Sequence, residues 1–164
     1  LGTAEGGLKI TLYNINGLNP SSPSIDFLNE WFFKTMHHEF AHILHQTKNY
    51  STDFNLISTD YQGPSWLNLE SDAVANKMGY VTRYASYSPD EDFVEIISNY
   101  VTHAKGYWES VLATAGEEGG DKLARKFEIV RNYLQESWGI DIDKLRDIVQ
   151  KRSANISQLD LKTL

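Results

Sequence analysis

His38-Glu39-Phe40-Ala41-His42 sets two histidines four residues apart with a glutamate beside the first, and the rest of the chain is read outward from it. On an α-helix, positions i and i+4 share a face, so both imidazoles can aim a nitrogen at one cation, at the ~2.0–2.1 Å of a zinc–nitrogen bond. Glu39 is turned about 100° around the axis from His38, beside such an ion rather than on it. Zinc brings the pKa of bound water toward 7, and a glutamate so placed can take the released proton and pass it to a leaving amine. The spacing therefore predicts Zn2+ on His38 and His42, with Glu39 as general base in peptide-bond hydrolysis.

The same five letters also arise by chance, so the flanking residues are weighed with them. Phe33, Met36, Phe40, Ile43 and Leu44 recur at helical spacing and predict a core stripe, with His38, His42 and His45 turned away from it. On that reading the histidines face water, or a second element across a cleft.

A catalytic zinc usually takes three protein ligands and keeps a position for water. His42 is followed by Ile43-Leu44-His45-Gln46 rather than Gly-x-x-His, which disfavours a three-histidine site. His45 is too close along the same helix to complete an open tetrahedral site comfortably. Pro89-Asp90-Glu91-Asp92-Phe93-Val94-Glu95 reads as a helix start. Beyond it Phe93, Ile96, Ile97, Tyr100 and Val101 form one apolar face, with Glu91, Glu95, Ser98 and Thr102 opposite. That acidic side is either the solvated face of an amphipathic helix or the source of the third ligand.

His-Glu-Phe-Ala-His followed about fifty residues later by Glu-Asp-Phe-Val-Glu resembles the gluzincin metallopeptidases, broadly those of the thermolysin type and more closely the anthrax-lethal-factor type. That resemblance implies Glu91 as third ligand and Glu95 as the acid that orients a histidine, with Glu95 as ligand the alternative. It implies for Tyr84, seven residues before Glu91, a phenol that hydrogen-bonds the oxyanion. With nine tyrosines in the chain, packing or surface roles compete with that reading, and Tyr87 is the alternative phenol.

The chain is more similar still to the zinc-binding metallopeptidases found among cell-envelope lipoproteins of Bacteroidetes. Residues 38–46, Gly79-Tyr80-Val81-Thr82-Arg83-Tyr84-Ala85, residues 91–95 and residues 126–146 carry this likeness; the last include Ile129-Val130, Tyr133-Leu134, Trp138 and Asp143-Lys144-Leu145-Arg146. It implies a peptide or protein substrate, a place at the cell envelope or outside the cell, and a lipid anchor upstream of this segment.

At 164 residues and 41% hydrophobic, the chain can bury one sizeable core, and a single domain over residues 1–164 is expected. A formal charge of −7 without a basic stripe argues against nucleic acid. Lys122, Arg125, Lys126 and Arg131 read as the solvated face of an amphipathic helix. The absence of cysteine removes disulfides, thiolate catalysis and cysteine-held zinc. No run approaches the ~18 apolar residues of a membrane span, and a chain beginning at Leu1 reads as a fragment of a longer precursor. His37 and His103 read as ordinary surface or satisfied histidines.

Residues 8–15 alternate apolar and polar and read as a short strand, between Gly6-Gly7 and Asn16-Gly17. Residues 19–24 form a turn-rich link, with Ser24 or Asp26 as helix cap. Residues 50–69 are a long polar and aromatic connection that either lines a cleft or simply packs. A short helix should run from Glu70 to near Gly79 and another over residues 107–115, broken by Gly116 to Gly120. Leu123, Phe127, Val130 and Leu134, then Ile142, Leu145, Ile148 and Val149, mark packing helices, and the last ten residues should fray.

These readings converge on a helix-rich α+β zincin-like domain with a small sheet beside the histidine helix. An edge strand there would give an extended peptide something to pair with. The competing function is an inactive zincin-like binding module on the cell envelope, against which Glu39 weighs because metal binding alone needs no base. A helical structural protein with incidental histidines would hold no zinc tightly.

Overall fold

The computed structural model describes residues 2–17, 19 and 24–158. Gly2–Glu5 (β1) and Lys9–Leu12 (β2) pair antiparallel, Gly2 opposite Leu12 and Glu5 opposite Lys9. Gly6 and Gly7 turn the hairpin at φ of 59° and 68°, values open to glycine at little cost. The expected strand over residues 8–15 is thus the second arm of a hairpin, and Ile15–Gly17 already turns as a 3-10 segment.

Ser24 caps the next helix by accepting from the Phe27 amide, while Asp26 sits in the first turn. Most of the turn-rich link before it, positions 20–23, lies outside the described residues. Ile25–Leu28 (α1) runs through a π-helical stretch, Asn29–Phe33, into Lys34–Thr47 (α2). Phe54–Ile57 (α3), Asp72–Met78 (α4), Pro89–Thr102 (α5), Gly106–Trp138 (α6) and Ile142–Ala154 (α7) follow, giving a helix-rich α+β fold. Among the described residues no helix is long and apolar enough to cross a membrane. Of the last ten residues, 159–164 lie outside the description.

The fold is built around α5. Ser88 caps it by accepting from the Glu91 amide, and Pro89 occupies the first turn, where a missing N–H costs nothing. Every residue from Asp92 to Thr102 is buried, because α2, α6 and α7 all pack against this helix. Of the two readings of this side, the solvated acidic face is therefore the one that fails; Glu95, Ser98 and Thr102 are inside. The stripe expected on α2 is corrected for the same reason. Met36 and Phe40 are 40% and 48% exposed, whereas His38, Glu39, Ala41, Leu44 and His45 are buried. The face of α2 that meets α5 is the polar one, since polar groups on both helices satisfy one another.

The cation face expected on α6 loses one member. Lys126 is 0% exposed, with Nζ 2.6 Å from Asp92 Oδ2, 2.7 Å from the Gly79 carbonyl and 4.2 Å from the Tyr80 ring centre. It joins α6 to the end of α4 and the first turn of α5. The expected break over residues 116–120 is confined to Gly116, with φ of 71° and ψ of −162°. Gly119 stays helical and lets α4 come close, since a Cβ there would stand 2.7 Å from the Lys77 carbonyl oxygen.

Residues 50–69 pack against the rest of the domain along much of their length. Tyr50 stacks on Phe93 at 4.1 Å, Phe54 is fully buried, and Tyr61 donates to Asp92 at 2.9 Å. Further on, the 3-10 segment Gly63–Asn68 brings Trp66 against Tyr84, which borders the histidines.

Candidate metal centre

α2 and α5 lie side by side, and one turn of each supplies the centre. His38 Nε2 stands 3.0 Å and His42 Nε2 3.4 Å from Glu91 Oε2. One ligand atom from each of the three residues falls within 4.8 Å of the others, so the set can hold a metal ion. Glu91 Oε2 is buried without a hydrogen bond, because neither imidazole contact has hydrogen-bond alignment. A buried carboxylate oxygen without a hydrogen bond is costly, and a cation among these three atoms would satisfy it. Two imidazoles and a carboxylate are also a donor set suited to zinc.

The electrostatics of the metal-free cluster show the same demand for positive charge. Burial pushes the His38 imidazolium down, but the Glu91 and Glu95 carboxylates beside its two ring nitrogens outweigh it and hold its pKa up at about 9. Burial pushes Glu91 up, yet His38 and His42 bring it down to about 2.

Glu95 stands behind the cluster. Its Oε1 is 2.8 Å from His38 Nδ1, while Oε2 accepts from Thr82 Oγ1 at 2.6 Å and Asn99 Nδ2 at 3.1 Å. Both oxygens are engaged away from the point where Glu91 and the two Nε2 atoms converge. With Nδ1–H directed at Glu95, His38 keeps the Nε2 lone pair for an ion, a tautomer assigned from the network. His45 does the same for His42: its Nε2 lies 2.9 Å from His42 Nδ1, and its ring packs edge-on against Tyr50 and Phe93. It lies outside the converging set.

Glu39 is 6% exposed, and burial pushes its carboxyl up against the pull of His38 and His42. β1 covers it: a Cβ on Gly2 would come 2.6 Å from Glu39 Cγ, so only glycine fits there without moving that side chain. A cavity of about 180 Å³ opens beside it, with Lys34, Thr35, Tyr84 and Glu95 on its walls. The Tyr84 ring lies 5.9 Å from that of His38, and burial with the Glu91 charge raises its phenol, which stays protonated. Tyr87 stacks behind Tyr84 at 6.0 Å, farther from the histidines.

His37 and His103 are half-buried and outside the cluster. His103 bonds the Asn99 carbonyl through Nδ1 at 2.9 Å and stacks on Tyr107 at 3.9 Å. Sequence reasoning missed Thr82, Asn99 and Gly2, and missed His45 as a partner of His42. A histidine three positions after a candidate ligand was the one local signal; the others depend on contacts between distant segments.

No functionally curated protein matches the chain. It does superpose on a crystal structure described as a "putative zinc-binding metallo-peptidase" from Bacteroides caccae, with a TM-score of 0.84 and 44% identity. The alignment covers 98% of this chain and 61% of that one, so this chain spans under two thirds of its neighbour. A helix-rich zincin-like α+β domain is common ground between them. Residues 1–143 also match one family model throughout, and with the fold in agreement the chain belongs to the family described as "putative zinc-binding metallo-peptidase".

Proposed function

We propose that the protein is a zinc-dependent peptidase in which His38, His42 and Glu91 hold the metal. The observation that carries this reading is the buried Glu91 Oε2, which has no hydrogen bond and faces the Nε2 atoms of both histidines. Bound there, zinc would polarise a peptide carbonyl and acidify water.

The residues around it then have distinct tasks. The Glu39 carboxylate takes the proton of the attacking water and delivers it to the leaving nitrogen; partial burial raises its pKa in the direction a base needs. Tyr84 keeps its phenolic proton and donates it as a hydrogen bond to the carbonyl oxygen as negative charge develops. Glu95 and His45 hold the rings of His38 and His42 by their Nδ1 atoms, which orients both Nε2 lone pairs. The β1–β2 hairpin beside α2 would offer backbone groups to an extended peptide.

Glu39→Gln tests the reading, because the amide is close in shape but cannot accept the proton. Hydrolysis of a mixed peptide library should fall by about 10²–10⁴-fold, with zinc content unchanged by elemental mass spectrometry. Equal hydrolysis by wild type and variant would overturn the mechanism. Zinc retained by both proteins with no peptide cleaved by either would leave a metal-holding binding module. The likeness to envelope lipoproteins supports a place at the cell envelope, which fractionation of cells carrying the full-length protein would test.

A further inference from the structure

We infer that Trp66, with Tyr84 and Tyr87, forms a shelf that receives an aromatic or large aliphatic side chain of the substrate next to the scissile bond. This rests on the peptidase reading above. The shelf begins at the metal centre: the Tyr84 ring is 5.9 Å from that of His38, and the Trp66 ring meets Tyr84 at 5.1 Å and 69°. Tyr87 stacks along Tyr84 at 6.0 Å and is 38% exposed.

The shelf is held rigidly although it lies on connecting segments. The Gln62 amide donates to the Ser86 carbonyl at 2.7 Å and the Gly63 amide to the Tyr87 carbonyl at 3.1 Å, locking the Trp66 segment to the Tyr84 segment. Arg83 Nη1 adds a bond to the Leu69 carbonyl at 3.1 Å. Segments fixed in this way lose little freedom when a ligand arrives. The rings are also left half-covered, unlike Phe54 and Phe93, which are fully buried in the core.

The cavity that Tyr84 borders has different chemistry elsewhere in its lining, where Lys34, Thr35, Glu39 and Glu95 contribute. A peptide crossing the centre therefore meets charged groups and aromatic rings together. Successive residues of an extended peptide advance about 3.3 Å and alternate sides. A residue adjacent to the reacting carbonyl thus lies within reach of Tyr84 and the indole beyond it. Apolar subsites of this kind discriminate by roughly 10–200-fold, and an open shelf belongs at the lower end.

The experiment compares kcat/KM for two fluorogenic peptides that differ only in Phe or Ala beside the cleaved bond, with each flank tested in turn. On one flank wild type should favour Phe by about tenfold, mainly through KM. Trp66→Ala should bring the ratio near one, and Trp66→Phe should retain it. If Trp66 merely buttressed Tyr84, both substrates would suffer alike; a ratio unchanged in Trp66→Ala, or no preference in wild type, overturns the shelf. A second arm measures binding of Phe- and Ala-bearing dipeptide hydroxamates to zinc-loaded Glu39→Gln protein, with and without Trp66→Ala. A Phe preference there that vanishes with Trp66, while wild type cleaves no peptide, upholds the shelf and overturns hydrolysis. Cleavage without preference in either arm does the reverse.

Discussion

Replacing Lys126 by Met should destabilise the protein far more than its place in a run of four cations suggests. Methionine nearly matches the lysine stem in length, so the change removes charge and hydrogen bonds rather than volume. Lys126 Nζ lies 2.6 Å from Asp92 Oδ2 and 2.7 Å from the Gly79 carbonyl, with both side chains 0% exposed. Once the cation is gone, Asp92 keeps only the Tyr61 hydroxyl on Oδ2, and Oδ1 has no partner. Stranding one member of a buried ion pair costs about 3–5 kcal/mol. For a chain of this size each kcal/mol lowers the melting temperature by about 2–4 °C, so a fall of roughly 6–20 °C is expected. Adding Asp92→Asn removes the stranded charge and should restore at least half of that loss. The assay is thermal unfolding followed by circular dichroism at pH 7.5, with chemical unfolding as a check. A loss below about 1 kcal/mol in Lys126→Met, the range of exposed ion pairs, would refute the argument, as would a double variant no more stable than the single.

Other expectations bear on the centre. Glu95→Gln should weaken zinc binding by about 10–100-fold, since a mixed amide no longer holds the His38 Nδ1–H as firmly; unchanged affinity in competition with a chelator would show that Glu95 does not orient His38. Tyr84→Phe should lower kcat by about 10²–10³-fold with KM nearly constant, and a loss confined to KM would make the phenol a substrate-binding group instead. Stability should also depend on pH through His103. Burial holds its folded pKa below the ordinary 6.5, so as pH falls below that value the unfolded chain binds a proton that the folded chain does not, and stability drops. In the metal-free protein His38 acts in the opposite sense, its contribution present below about 6.5 and lost as pH rises through about 9. The comparison is therefore between wild type and His103→Gln over pH 5–7, where the variant should show the shallower decline in melting temperature; parallel curves would refute the assignment.

What could be read from sequence was local. The spacing of His38, Glu39 and His42 follows from helix geometry, and the starts of α1 and α5 follow from Ser24 and from Pro89 with its acids, because capping and periodicity act over a few residues. The structure brings together His38, His42 and Glu91 as ligand candidates and turns both oxygens of Glu95 elsewhere. Tertiary structure alone decided which faces are inside. The polar side of α2 is buried and Met36 and Phe40 are exposed because α5 carries a matching polar face, and apolar periodicity cannot report a partner's chemistry. Lys126 enters the core only because Asp92 meets it, and Glu39 takes its position only because Gly2 lets β1 close over it. His38 and Glu95 are 57 residues apart in the chain, and no local pattern measures such a distance. The sequence by itself therefore determined the zinc-binding motif of the family and most of the helices, because side-chain type and short-range geometry suffice for both. The buried charges, the contact of Glu95 with His38 and the aromatic wall beside it were decided by tertiary packing, since each exists only where distant segments meet.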